Sequence, residues 1–236
     1  MSDEAETSTN LAKAAYEAAK RYAREGKFAE ALERHEWFHH HALEHHPAYY
    51  GVRLSFALSA WKELGEKYPP ALESLRRVLD QGVANLGDGN LSVELFHDVV
   101  SIHRVLDEDD ATLKLFRDLE GKDEEAATRR FRCMKDVALK KSPDLFLRYT
   151  PDLMPYLLEK RRIHRSQKES RLQLPQMNAR MEQAMQQVSK MQDEQFDALC
   201  LRLIDLARTA NRPAQASAME QLVQHWKSPD AAEAGD

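Results

Sequence analysis

The strongest constraint on the fold is an internal repeat. Residues 26–38, GKFAEALERHEWF, align with residues 66–78, EKYPPALESLRRV, at an offset of 40. Phe28 falls over Tyr68, Ala31-Leu32-Glu33 falls over Ala71-Leu72-Glu73, and the preceding segments carry Tyr22 and Trp61 near their ends. A weaker third copy, EDDATLKLFRDL at 108–119, puts Ala111 another 40 residues on. One supersecondary unit of this length cannot bury its own apolar face, whereas a stack of them makes a continuous core. The period therefore predicts stacked helical hairpins.

Residue usage agrees with an all-α chain. There are three Ile and ten Val in 236 residues, and no apolar-polar alternation bounded by hairpin turns, so nothing supplies the material of a sheet. Helices should break at Gly26, at 66–72, 87–90, 107–110, 141–144, 150–155, 172–176 and 211–215, where Gly, Pro, Asn and Asp gather. Thr150-Pro151, and Asn211 with Pro213, have the form of a side-chain cap followed by a first-turn proline. The resulting organisation is a helical repeat domain over 11–170, a helical C-terminal extension over 171–227, and solvated tails at 1–10 and 228–236.

AYEAAKRYAREGKFAEAL at 15–32 resembles the tetratricopeptide-repeat family. It has small residues in a first helix A, an aromatic at Tyr22, then Gly26, the aromatic Phe28 and the small Ala31 opening a helix B. In such a hairpin Ala31 lets helix B approach helix A while Tyr22 and Phe28 fill the wedge between hairpins. His35 stands where the family usually has an aromatic and Phe38 where it has a small residue. The second copy has an extra residue in its turn and Leu75 in place of the aromatic. The resemblance covers roughly residues 11–120 and implies a tetratricopeptide-like solenoid; an α-solenoid of longer repeat is the alternative.

HEWFHHHALEHHP at 35–47 packs six of the ten histidines into twelve positions and contains His35-Glu36-Trp37-Phe38-His39. Zinc proteases use this spacing because it places two imidazoles on one helix face with a carboxylate beside the metal-bound water. Their elongated pattern breaks the helix at a glycine to bring in a third histidine. Here that position is Ala42, a strong helix former, so His45 should turn away from His35 and His39. Those two fall instead on an apolar stripe through Phe28, Ala31, Leu32, Phe38, Ala42, Leu43 and His46, where a helix interface is expected. The expectation is no metal and no cofactor, with zinc binding at His35 to His46 as a minor alternative.

Phosphate loops, dinucleotide fingerprints and nucleophile elbows are all missing from the sequence, and GDGN at 87–90 lacks the alternating acidic ligands of a calcium loop. A non-enzymatic role follows. Cys133 and Cys200 form no motif and read as reduced structural thiols. The acidic N-terminus MSDEAETSTN and the lack of an apolar run of about 18 residues give a cytoplasmic expectation with no membrane contact. Net charge is −5, yet residues 129–171 hold thirteen Lys and Arg against five Asp and Glu. Such an island could meet acidic elements of its own chain, an acidic protein or, less readily for want of interleaved aromatics, nucleic acid.

The function expected is therefore a protein-interaction or adaptor module, with nucleic-acid association through 129–171 as the alternative. Solenoids of this class present their A helices to a groove. Register from Gly26, Gly65 and Ala111 places Lys13, Tyr16, Lys20 and Arg24 there, then Ser55, Ser59 and Lys62, then Phe96, Val100 and His103. The first set is basic and suits an acidic partner, but it lacks the asparagines with which the family clamps a peptide carboxylate. A separate stripe, Met177, Met181, Ala184, Val188 and Met191, has 4-3-4-3 spacing; it can cap the last hairpin or pair with another helix, including a homodimer through 176–206.

Overall fold

A computed structural model describes residues 2–90, 92–172 and 179–228. Among them are twelve helices and no strand. They divide into two compact units, Met1–Phe146 and Leu147–Asp236. The boundary falls earlier than the 170/171 division expected from sequence.

The first unit contains α1 (Ser2–Arg24), α2 (Phe28–His45), the short α3 (Tyr49–Arg53), α4 (Phe56–Lys67), α5 (Pro69–Gly87), α6 (Val93–Val105), α7 (Asp109–Glu120) and α8 (Glu124–Lys141). α1 begins at Ser2, so it takes in residues set aside above as a tail. α9 (Pro143–Tyr149) straddles the boundary.

The packing order is that of stacked hairpins. α1 packs on α2, α4 on α5, and α6 on α7; then α4 touches both α1 and α2, α6 touches both α4 and α5, and α8 touches both α6 and α7. Each new first helix thus settles against both helices of the hairpin before it. The residues aligned by the repeat occupy matching places. Phe28 and Tyr68 meet with ring centroids 6.1 Å apart, and Ala31 and Ala71 are both wholly buried.

Backbone details show why these turns sit where they do. Gly26 has φ +76° and ends α1 in the left-handed region that side chains disfavour. At Gly65 a Cβ would lie 2.8 Å from Leu72 Cβ, so the missing side chain is what lets α4 and α5 close together. Trp61 fills the wedge beside it and donates its indole N–H to the Ala71 carbonyl at 2.9 Å.

Two features were not anticipated. The α2 stripe ends at His45, and α3 follows it as a five-residue helix. A break at Gly121 to Asp123 separates α7 from α8, with the Asp123 carboxylate accepting from Ala126 N–H at 2.9 Å as an N-cap.

The second unit is built from α10 (Met154–Leu172), α11 (Ala179–Thr209) and α12 (Pro213–Lys227), each packed on the other two. Leu157, Phe196, Leu203, Ala207 and Met219 lie in its core. The caps expected here are displaced. Asp152, not Thr150, accepts from Met154 N–H, while Asn211 has φ +57° and closes α11 before Pro213 opens α12. Of the methionine stripe, Met177 lies outside the described residues. Met181 and Met191 are about half exposed, at 51% and 48%, and Val188 is exposed too.

Candidate functional site

The cleft between α1 and α4 brings together several residues placed in the groove by sequence. Tyr16 lies against Phe38, ring centroids 5.3 Å apart, which anchors the α1 wall. Lys20 reaches over the Tyr16 ring at 5.3 Å, and Arg24, one turn on, donates from Nε to the Lys20 carbonyl at 3.3 Å. Both cations line a cavity of about 270 Å³, with Lys67 and Glu63 supplied by α4 and His35 by α2. Burial and, after it, the Glu63 carboxylate push the Tyr16 hydroxyl's pKa up, so the ring stays a neutral phenol. Three cations therefore face one carboxylate at this mouth.

The other expected groove positions divide. Ser59 is exposed on α4. Lys13 is exposed but engaged with Glu17 at 3.9 Å. Ser55 turns its hydroxyl to the Gly51 carbonyl at 2.6 Å, and Lys62 is held by Glu66 and Asp107, each at 3.8 Å. Phe96, Val100 and His103 are a correction, for all three are buried. α6 is enclosed by α4, α5, α7 and α8, so it has little free face. The register was also one residue out. His103 holds the wedge position of Tyr22 and Trp61, and its Nδ1 meets the hydroxyl of wholly buried Thr112 at 3.1 Å. Thr112, not Ala111, is the small residue of the third copy, and one residue turns a helix by about 100°.

The histidine cluster is distributed around α2. His35 and His39 flank Trp61 of the next hairpin at 6.1 and 5.9 Å between ring centroids. His45 stacks on Trp37 at 5.3 Å, away from them, because the helix continues through Ala42. Glu36, which a zinc protease would need beside the metal, accepts from the Ser74 hydroxyl. Among the described residues no three His, Cys, Asp or Glu side chains converge as a metal-ligand group. Burial lowers the His35 pKa to about 4 and, together with the Arg53 charge, the His39 pKa to about 3.

Both imidazoles are thus neutral when folded, and the unfolded chain binds more protons below about pH 6.5. Their stabilising contribution is present above that pH and is lost as pH falls toward 4 and 3. Across that window stability should fall by about 1.4 kcal/mol per pH unit for each histidine. His35→Ala with His39→Ala should lower stability at pH 7 and flatten this acid limb in urea titrations; the protein as purified should carry no stoichiometric zinc. One zinc per chain by elemental analysis, lost in the double variant, would refute the interface role.

The two thiols are free, in different units. Burial raises both to about 11, which makes them poor nucleophiles. Part of the 129–171 island is paired locally: Lys140 and Lys141 meet Asp109 and Asp110 at 2.8 and 3.0 Å, Arg165 meets Glu169 at 3.0 Å, and Lys168 meets Asp193 at 3.2 Å. No described helix is long and apolar enough to cross a membrane.

Sequence reasoning missed Glu63, Lys67 and the part played by His35. The α4 wall is legible only once the stacking of the first two hairpins is known. No family model, curated protein or solved structure matches this chain.

Proposed function

We propose that the chain is a non-catalytic interaction module of tetratricopeptide-like type whose α1–α4 cleft receives an acidic peptide segment of a partner protein. The observation that carries this reading is the convergence of Lys20, Arg24 and Lys67 around one cleft, with Glu63 the one carboxylate among the described residues that line it. Tyr16, packed on Phe38, sets an aromatic ring under Lys20, and Ser59 leaves the neighbouring surface of α4 small and polar. Rim cations of this kind steer association and fix register, while the aromatic supplies apolar contact area. Partial neutralisation of the 129–171 island favours this reading over nucleic-acid binding.

Lys20→Glu with Arg24→Glu should weaken binding of a fluorescent Glu-rich amphipathic peptide by about tenfold or more, leaving circular dichroism unchanged. Anisotropy titrations at two salt concentrations check this, since binding through rim charges should weaken as salt is added. Affinity untouched by the double reversal would remove the cleft from consideration.

A further inference from the structure

We infer that the second unit carries a binding site of its own: a cavity among α10, α11 and α12 that takes a small monocarboxylate with an apolar body, its carboxylate held by Arg161. The cavity measures about 280 Å³, close to the lower end of small-molecule sites. All three helices line it. Arg161 and Lys168 come from α10, Phe196 and Asp197 from α11, and Val223 and Trp226 from α12.

Arg161 is the charge that the unit leaves uncommitted. Its guanidinium carbon stands 5.0 Å from the centroid of the Trp226 ring and 5.9 Å from that of Phe196, so the charged end, and not only the stem, lies among the aromatic rings of the cavity wall. The residue is half-buried, and none of its nitrogens is among the buried atoms that lack a partner, so its free donors are open to solvent. Among the described residues it forms no ion pair. The carboxylates nearby are met by other groups. Asp193 lies 2.8 Å from His164 Nε2 and 3.2 Å from the Lys168 ammonium, and Asp197 lies 2.9 Å from that of Lys227. Three cations therefore face two carboxylates around this cavity, and the cation left over is Arg161.

This arrangement selects the ligand. A cation–π contact uses the charge of a guanidinium but none of its hydrogen-bond donors. Two parallel N–H groups of such a fork match the two oxygens of a carboxylate, and the aromatic rings fix the fork in place before the ligand arrives. One uncompensated charge suits a monoanion. A phosphate dianion would bring a second negative charge and would have to draw Lys168 or Lys227 away from its carboxylate. Val223, 9% exposed, and the Trp226 ring offer the body of the ligand an apolar wall, and the volume holds one ring or one branched chain.

The test is a chemical-shift titration of the isotope-labelled full chain with 3-phenylpropionate and, separately, with its uncharged amide and with inorganic phosphate. The indole N–H of Trp226, one of three tryptophans, reports from the cavity wall. The expected result is a saturable shift of that signal with the carboxylate, and binding of the amide and of phosphate about tenfold or more weaker. Arg161→Lys, which keeps the charge and removes the fork, should weaken the carboxylate about tenfold, and Arg161→Met should abolish its binding. Should the methionine variant be destabilised, the lysine variant decides. Equal binding of the amide would overturn recognition of the charge, and tighter binding of phosphate would overturn the monocarboxylate assignment. A response undiminished in the Arg161 variants would place the binding elsewhere, and no response to any probe would mean that Arg161 serves only to pack on Trp226 and Phe196. None of these outcomes depends on the peptide cleft of the first unit, whose probe and variants are different.

Discussion

Trp61→Ala should lower the unfolding free energy of the protein by about 3–5 kcal/mol. The indole is almost wholly buried and stands at the joint between the first two hairpins. It packs against His35 and His39 of α2 on one side and hydrogen-bonds Ala71 of α5 on the other. Alanine would leave a cavity there and strand a buried carbonyl, adding a desolvation cost of about 1–3 kcal/mol if no water enters. In a stack of hairpins each unit is stabilised by its neighbours, so damage at a joint should also broaden unfolding by uncoupling the pair. Urea denaturation followed by circular dichroism measures both effects. A loss below about 1 kcal/mol with an unchanged transition slope would show that the hairpins are not coupled through Trp61.

Arg53→Ala is the second large effect, about 3 kcal/mol. The guanidinium is the charge partner of Asp98, whose side chain is 22% exposed, so removing it leaves a largely buried carboxylate uncompensated. The figure is placed at the low end of the range because Asp98 retains some contact with water. Replacing both partners, Arg53→Met with Asp98→Leu, should recover most of the loss, since the cost lies in the orphaned charge more than in the missing attraction. If the double replacement is as unstable as Arg53→Ala, the ion pair itself, or the bond to the His39 carbonyl, is what stabilises α3.

How much of this was legible in the sequence follows from the range of each interaction. Gly26, Pro69 and Asn211 act locally, and the helix breaks they announce are found. The repeat was visible because Phe28 and Tyr68, and Ala31 and Ala71, occupy the same packing positions in successive hairpins. α3 was hidden because no local pattern marks a helix of five residues, and its tether is an ion pair between Arg53 and Asp98, 45 residues apart. The α7–α8 break did carry a signal, Gly121 followed by the capping Asp123, which the pattern of the repeat obscured.

At the site the limits are similar. Tyr16, Lys20 and Arg24 follow from Gly26 by helical register alone. Glu63 and Lys67 depend on how α4 stacks on α1, which no local pattern encodes. The third set failed because aligning the copies on Ala111 instead of Thr112 rotates the helix face. The histidine string shows the converse difficulty, since spacing of four residues serves a metal pair and a helix interface equally well. What separates them is the unbroken helix at Ala42 and the commitment of Glu36 to Ser74.

The central claim, that the α1–α4 cleft is where a partner docks, is tested most directly by site-specific photocrosslinking with the same Glu-rich peptide. A photoreactive residue would replace exposed Ser59 on α4 in one protein and exposed Glu33 on the outer face of α2 in another. Crosslinking from position 59 that is lost on Lys20→Glu with Arg24→Glu, with none from position 33, is the result predicted here. Crosslinking from position 33, or from position 59 undiminished by the charge reversal, would contradict it.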